Sequence, residues 1–351
     1  MKNFQSIRLD KSSKYGSLTT SLQLFLDSSV GVILLNADRA LDWRKLAEKS
    51  AIFAVLLLMV VVASLMSPAF LAERNLSNVV RQASILGVVA TGQLFVILTG
   101  GIDLSVASVI ALMSILSSGL MNGEDRLLWP VSLLCLALSL VIGLANGLLV
   151  TKLRIPAFIT TLGMVLIVQG IRFLYSGGMP KGQISEGLMY FGRASILSIP
   201  MTVWICLAVG AVSAVVLQAT TFGRGIYAVG GNARTAYMSG VNTHRVLIIA
   251  YMISSLWAGF TGLLLTGWVG MADNWLGQGY DLNSIAAVVI GGALLSGGKG
   301  TVWGTLAGAC MIALLFNIVI LLGLDADTQR IVRGLVIIGA VGLYMRLNVR
   351  Q

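Results

Sequence analysis

The chain reads Val96-Ile-Leu-Thr-Gly-Gly-Ile-Asp-Leu-Ser105 between two apolar runs, each long enough to enter a bilayer. Two glycines, one carboxylate (Asp103) and two hydroxyls (Thr99, Ser105) interrupt what would otherwise be continuous hydrophobic sequence. A carboxylate at membrane depth costs about 3 kcal/mol or more, so such a group is tied to a function or a partner. Gly100 and Gly101 allow the backbone to leave the helical path. That departure is tolerated in a membrane only where protein or a cavity surrounds it. The stretch therefore predicts helical spans packed around a broken segment.

Composition agrees. Of 351 residues, 57% are hydrophobic and 11% charged, whereas a soluble domain carries about 25% charged residues. Barrel strands would alternate apolar and polar side chains. Here the apolar runs are continuous over helical spanning length. The fold class expected is an all-α integral membrane protein of about ten transmembrane helices, some short or broken. The net charge of +10 fits positive-inside topology rather than nucleic-acid binding. Cys135, Cys206 and Cys310 lie inside apolar runs and read as small packing residues, not as disulfide partners.

The expected spans are 50–67, 83–99, 104–121, 128–150, 157–175, 201–219, 246–268, 283–297, 301–322 and 329–346. The eighth is glycine-rich and reads as broken or partial. Residues 1–49 precede them as a cytoplasmic segment, and no cleavable signal peptide is evident. Within it, Ala40–Lys49 spaces Leu41 and Trp43 against Leu46 and Ala47, which suits a short amphipathic helix on the lipid surface. With both termini in the cytoplasm, the inner side collects sixteen of the 24 Lys and Arg residues. The reverse orientation would violate the positive-inside rule.

A weak internal repeat appears. Val96-Ile-Leu-Thr-Gly-Gly101 resembles Val288-Val-Ile-Gly-Gly292, which is followed by Gly297-Gly-Lys-Gly300. Interrupted segments at matching places in two halves point to a transporter's substrate path. This gives Gly100, Gly101, Asp103, Ser105, Gly291, Gly292, Gly297 and Gly298 as candidate pathway or backbone-break residues. Gly143-Leu-Ala-Asn-Gly147 and Gly304-Thr-Leu-Ala-Gly308 are small-residue motifs for close helix approach.

Catalytic and metal chemistry find no purchase. The single histidine, His244, lies in a polar loop. No phosphate-binding loop of the required spacing exists. Asp103 is the one plain intramembrane carboxylate, and a proton- or ion-coupled pump needs several such groups. No catalytic, metal or cofactor site is expected on the chain, so energy for active transport would come from elsewhere. Thr220–Arg245 is the longest connection on the cytoplasmic side. In it Asn232 suits an N-cap, Ala233–Ser239 a two-turn helix, and Gly240 a C-terminal stop. A short rigid helix with small residues at Ala233 and Ala236 suits a groove in a partner protein.

These residues resemble a known family: the membrane permease subunit of bacterial ATP-binding-cassette (ABC) sugar importers, of the ribose, xylose and autoinducer-2 type. The resemblance covers about residues 50–346. It rests on Gly100-Gly-Ile-Asp-Leu-Ser-Val-Ala-Ser108, Lys152-Leu-Arg-Ile-Pro-Ala-Phe-Ile-Thr-Thr-Leu-Gly163, Gly230-Gly-Asn-Ala-Arg-Thr-Ala-Tyr-Met-Ser-Gly240 and Val289-Ile-Gly-Gly-Ala-Leu-Leu-Ser-Gly-Gly-Lys-Gly300. Ala107 and Thr235 depart from the family's usual residues there.

The resemblance implies two permease copies, or a copy and a paralogue, forming a path in the bacterial inner membrane for a monosaccharide. It implies two cytoplasmic ATPase subunits, which hold the ATP, and a periplasmic sugar-binding protein. It marks Asn232, Ala233, Arg234, Ala236, Ser239 and Gly240 as the coupling segment to the ATPase. An ion-coupled secondary carrier, and an ABC permease for another small polar solute such as an amino acid, are the alternatives the sequence leaves open.

Overall fold

The computed structural model describes residues 43–323 and scattered positions between 325 and 342. The expectations for residues 1–42 and most of the tenth span lie outside the described residues. The chain divides into two units, Met1–Ala51 and Ile52–Gln351. Of the first, the described part is helical backbone from Trp43. Helix α1 runs over Trp43–Met66; Ala40–Asp42 of the expected amphipathic helix lie outside the described residues.

Eleven further helices follow: α2 (Glu73–Leu98), α3 (Val106–Met121), α4 (Leu128–Lys152), α5 (Ala157–Ser176), α6 (Glu186–Arg193), α7 (Met201–Ala219), α8 (Thr221–Gly231), α9 (Ala233–Met238), α10 (Thr243–Val269), α11 (Tyr280–Ile290) and α12 (Val302–Leu321). One small hairpin, β1 (Ser195–Ile196) with β2 (Ile199–Pro200), is the exception to an all-helical fold among the described residues.

Among those residues, six helices are long and apolar enough to cross a membrane, and three shorter apolar ones accompany them: Ala54–Met66, Val106–Met121 and Tyr280–Ile290. Ten full spans are therefore not what the described residues show. The shortening of α3 and α11 has one cause. Each adjoins a glycine break, and the break takes residues that would otherwise complete a span.

The bundle is organised around α2. Every residue from Ala83 to Leu98 is buried, as a helix apolar all round requires. It packs against α10, α12, α11 and α7, while α10 packs against α4, α3 and α6. Arg81 in α2 is also buried, where its guanidinium donates to the Gly192 carbonyl at 2.8 Å and to Ser195 Oγ at 3.2 Å. That contact ties the central helix to the last turn of α6 and to β1.

The outer helices keep apolar side chains outward. On α5, Phe158, Ile159, Leu162, Leu166, Ile167, Ile171 and Leu174 are exposed. In water such a stripe would be an aggregation site; against lipid or another membrane subunit it is the stable arrangement.

The loops segregate to two ends. One end gathers α6 and the turns near Asn122 and Asn274. There Gly123 donates to Gln183, Gly187 donates to the Asp125 carboxylate, and Arg193 donates to the Trp268 and Val269 carbonyls. The opposite end carries α8, α9 and both glycine breaks.

Candidate functional site at the meeting of two helix breaks

The first break is a Schellman turn. Gly101 N–H donates to the Val96 carbonyl at 3.1 Å and Gly100 N–H to Ile97 at 2.9 Å. Gly100 has φ +81°, the left-handed region that a side chain disfavours. The second break repeats the pattern. Ala293 N–H donates to Val288 at 3.1 Å, Gly292 N–H to Val289 at 2.9 Å, and Gly292 has φ +88°. The repeat is thus a repeat of backbone geometry, with Gly100 corresponding to Gly292. Gly101 corresponds to Ala293, so of each expected glycine pair only one member carries the turn.

The two breaks touch. Gly298 N–H donates to the Leu98 carbonyl at 2.9 Å. A Cβ on Gly297 would lie 2.8 Å from Gly100 N and 3.0 Å from Gly230 Cα, and one on Gly230 would overlap the Leu98 carbonyl oxygen. Tyr227 Oη donates to the Gly300 carbonyl at 2.9 Å. The C-terminal turn of α8 is therefore wedged against both breaks. The sequence missed α8, reading 220–232 as loop. Its three internal glycines hid it, because each costs a helix about 1 kcal/mol relative to alanine. The legible signal was Thr220, whose hydroxyl caps the helix by accepting from Gly223 N–H at 3.1 Å.

Asp103 is wholly buried, as is Ser105. One carboxylate oxygen accepts from Ser105 N–H at 3.0 Å and Ser105 Oγ at 2.6 Å; the other accepts from Ser254 Oγ on α10 at 2.9 Å. Ser105 Oγ in turn accepts from Asn146 Nδ2 on α4 at 2.9 Å. The Gln93 carboxamide, oriented by its hydrogen bonds, grips the Asp103 backbone from α2: its nitrogen donates to the Asp103 carbonyl at 3.1 Å and its oxygen accepts from the Asp103 amide at 3.2 Å.

Among the described residues no arginine or lysine forms an ion pair with Asp103. Of the roles open to this carboxylate, the geometry matches holding backbone N–H groups. It binds three helices to the turn that precedes α3.

The short helix α9 has the caps its sequence called for. Asn232 Oδ1 accepts from Thr235 N–H at 2.9 Å. Gly240 has φ +85°, and Val241 N–H closes the turn onto the Ala236 carbonyl at 3.0 Å. Asn232, Ala233, Arg234, Ser239 and Gly240 are exposed. Ala236 is not: it is 5% exposed and packs into the body of the protein, so it cannot be the small contact residue the sequence suggested. The outward side chains are Tyr237 at 67% and Met238 at 79% exposed. Sequence reasoning passed them over because a six-residue helix has too few turns to reveal its inner face.

This end of the molecule carries Lys152, Arg154, Arg224, Arg234, Arg245 and Lys299, and among the described residues its only acid is the buried Asp103. The opposite end mixes both signs, with Glu73, Glu124, Asp125, Glu186 and Asp273 beside Arg74, Arg126, Lys181 and Arg193. Among the described residues no group of three or more His, Cys, Asp or Glu could hold a metal ion.

Six helices of membrane-spanning length packed around two helix breaks define a multi-pass membrane protein. The chain belongs to the permease family described as the branched-chain amino acid transport system permease component, which matches residues 75–341. It is 38% identical over 300 residues to the ribose import permease protein RbsC of Escherichia coli, covering 84% of this chain and 93% of that protein. The Bacillus subtilis ribose import permease is 39% identical over 305 residues, covering 84% and 92%. The galactose/methyl galactoside import permease MglC of Salmonella typhimurium is 34% identical over 329 residues, covering 88% and 96%. No solved structure matches the chain.

Proposed function

We propose that the chain is the membrane-spanning subunit of an ABC importer that carries a monosaccharide across the bacterial inner membrane. Separate ATPase subunits bind its basic end, and a periplasmic binding protein delivers the sugar at the other end. The observation that carries this reading is α9: a helix capped at both ends, with Tyr237 and Met238 turned outward, at the end of α8 that wedges both breaks. A force on α9 reaches Gly230, Leu98 and Gly298 through backbone contacts alone.

The charge distribution supports placing this end in the cytoplasm. Sugar as cargo is favoured over an amino acid by the relatives named for ribose and galactose import, which match over nine-tenths of their length. A pairing of two permease copies would cover part of the apolar outer surface.

Proteoliposomes holding the chain with its ATPase subunits, supplied with binding protein, test the reading. The expected result is uptake of D-ribose or D-galactose that requires ATP and the binding protein. Uptake by this chain alone, driven by an ion gradient, would establish a secondary carrier instead. Uptake of leucine in place of sugar would establish the amino-acid alternative.

A further inference from the structure

A second site begins within a turn of the first break, at the start of α3, and runs along α5 toward the opposite end of the bundle. It is a cavity of about 220 Å³ between α3, α5 and the segment Asn274–Asp281. Pockets for drug-sized ligands run to about 300–1,000 Å³, so this one suits a smaller solute.

Its walls are unusually polar for a position flanked by spanning helices. Arg172 is 4% and Asn274 3% exposed, yet Arg172 Nε and Asn274 Nδ2 find no hydrogen-bond partner among the described residues. Asn274 is held in place by Ser176, whose hydroxyl donates to its Oδ1 at 3.2 Å, which leaves the Nδ2 donor free for something else. A buried N–H without a partner costs free energy. The Arg172 guanidinium lies over the Phe173 ring at 5.1 Å, and both Arg172 and Asn274 line the cavity, where acceptor atoms that arrive from outside can meet their N–H groups. Gln169 and Asp281 add an amide and a carboxylate to the same wall. Trp275, half exposed, is braced edge-on by Phe173 at 6.0 Å between ring centroids.

We infer that this cavity is a monosaccharide-binding station at the entrance of the permease, a reading that rests on the proposed function. The donors Arg172 and Asn274 and the acceptor Asp281 match a ring of hydroxyls, each of which both donates and accepts. Trp275 offers an apolar face to the C–H side of a sugar ring. Beside these polar groups the lining carries Ala107, Ala111, Val165 and Leu276, so leucine is kept as a competing probe in the test. The station stands beside α3 just past Ser105, so an occupant would rest against the helix that the Asp103 network anchors.

The test uses the purified full-length chain and, in parallel, the assembled importer in proteoliposomes. Saturation-transfer NMR with D-ribose and D-galactose reads binding to the chain directly, with leucine as a third probe. Arg172→Gln, Asn274→Leu and Trp275→Ala are the variants. Trp275 is exposed, so its truncation leaves the fold intact and keeps the test decisive if either buried substitution misfolds. The expected result is sugar signal on the wild-type chain that falls about tenfold in each folded variant, with slower ATP-driven uptake.

Wild-type uptake of sugar with no transfer signal, or with signal and uptake unchanged in Trp275→Ala and in the folded buried variants, would overturn the station and leave the importer standing. Leucine signal and leucine uptake in place of sugar would overturn both.

Discussion

The amide of Gly298 donates to the carbonyl of Leu98 at 2.9 Å, so the two helix breaks are joined through backbone alone. This bond links the last residue of α2, the central buried helix, to the loop that precedes α12. Gly230 of α8 fills the same spot, with room for no side chain. Three segments far apart in sequence therefore share one contact point, and Asn232, the N-cap of α9, stands two residues beyond Gly230. In a packed interior small displacements move neighbouring elements together rather than being absorbed. That makes the junction a mechanical link from α9 to α2 and to the segment preceding α12.

Gly230→Ala tests the route. A methyl there collides with the Leu98 carbonyl, while Gly231, its neighbour, has nothing within 4 Å of the same position. Overpacking of this kind costs about 1–3 kcal/mol. Gly230→Ala is expected to lower ATP-driven uptake at least about tenfold in reconstituted importer. Gly231→Ala should leave it within about twofold, since open surface positions change stability little. Equal rates for the two variants would show that the contact at Leu98 is slack.

Asp103 separates hydrogen bonding from charge. Asp103→Asn retains an acceptor for Ser105 N–H, and its new amide can donate to Ser254 once that hydroxyl turns. Asp103→Ala strands Ser105 N–H and Ser254 Oγ in the interior, at about 1–3 kcal/mol for each unsatisfied group. Thermal unfolding in detergent is expected to show Asp103→Ala at least about 5 °C below wild type and Asp103→Asn within about 3 °C of it. Loss of transport by a well-folded Asp103→Asn protein would instead assign the charge itself a role.

Local chemistry was legible in the sequence; three-dimensional context was not. Asn232 and Gly240 announced the ends of α9 because caps depend on residues within a turn. Gly100 and Gly292 announced the breaks because a left-handed turn selects glycine. The clamp on Asp103 was invisible, since Ser254 lies 151 residues away and Gln93 sits in an unbroken apolar run. The inward turn of Ala236 was likewise set by packing against the rest of the bundle. The eighth span was legible as broken from its glycines, whereas the shortness of α3 was not, because hydropathy continues across a break that the backbone does not cross as helix.

Tyr237 and Met238 replace Ala236 as the residues expected to meet the ATPase. Both are exposed, so Tyr237→Ala and Met238→Ala should leave detergent stability within about 0.5 kcal/mol of wild type. An anchoring aromatic at an interface is worth about 2 kcal/mol or more. Co-purification of the ATPase subunits should therefore weaken about tenfold or more in Tyr237→Ala. Ala236→Glu should act differently, unseating α9 by forcing a carboxylate into a buried position and lowering stability as well as coupling. Undiminished ATPase recovery by both alanine variants would move the docking surface away from α9.

Asn75 and Asn317 supply a measure of how firmly α2 is held at its far end. Each carboxamide donates to the other, at 3.1 Å and 2.7 Å, and Asn75 also donates to the Phe70 carbonyl at 2.9 Å. The pair is flanked by the apolar cluster of Phe70, Val79 and Leu314, which limits competing water. Reciprocal bonds of this kind join α2 to α12, the helix that follows the second break. Interhelical hydrogen bonds in membrane proteins couple by about 0.6 kcal/mol on average and up to about 1.7. Two mutual bonds in an apolar setting place this pair in the upper half of that range. A double-mutant cycle of Asn75→Ala and Asn317→Ala, read by unfolding in mixed micelles, is expected to give a coupling energy of about 1–1.7 kcal/mol. Strict additivity would mean that α12 is held to α2 by packing alone, and that the two halves of the repeat are free to shift against each other at this end.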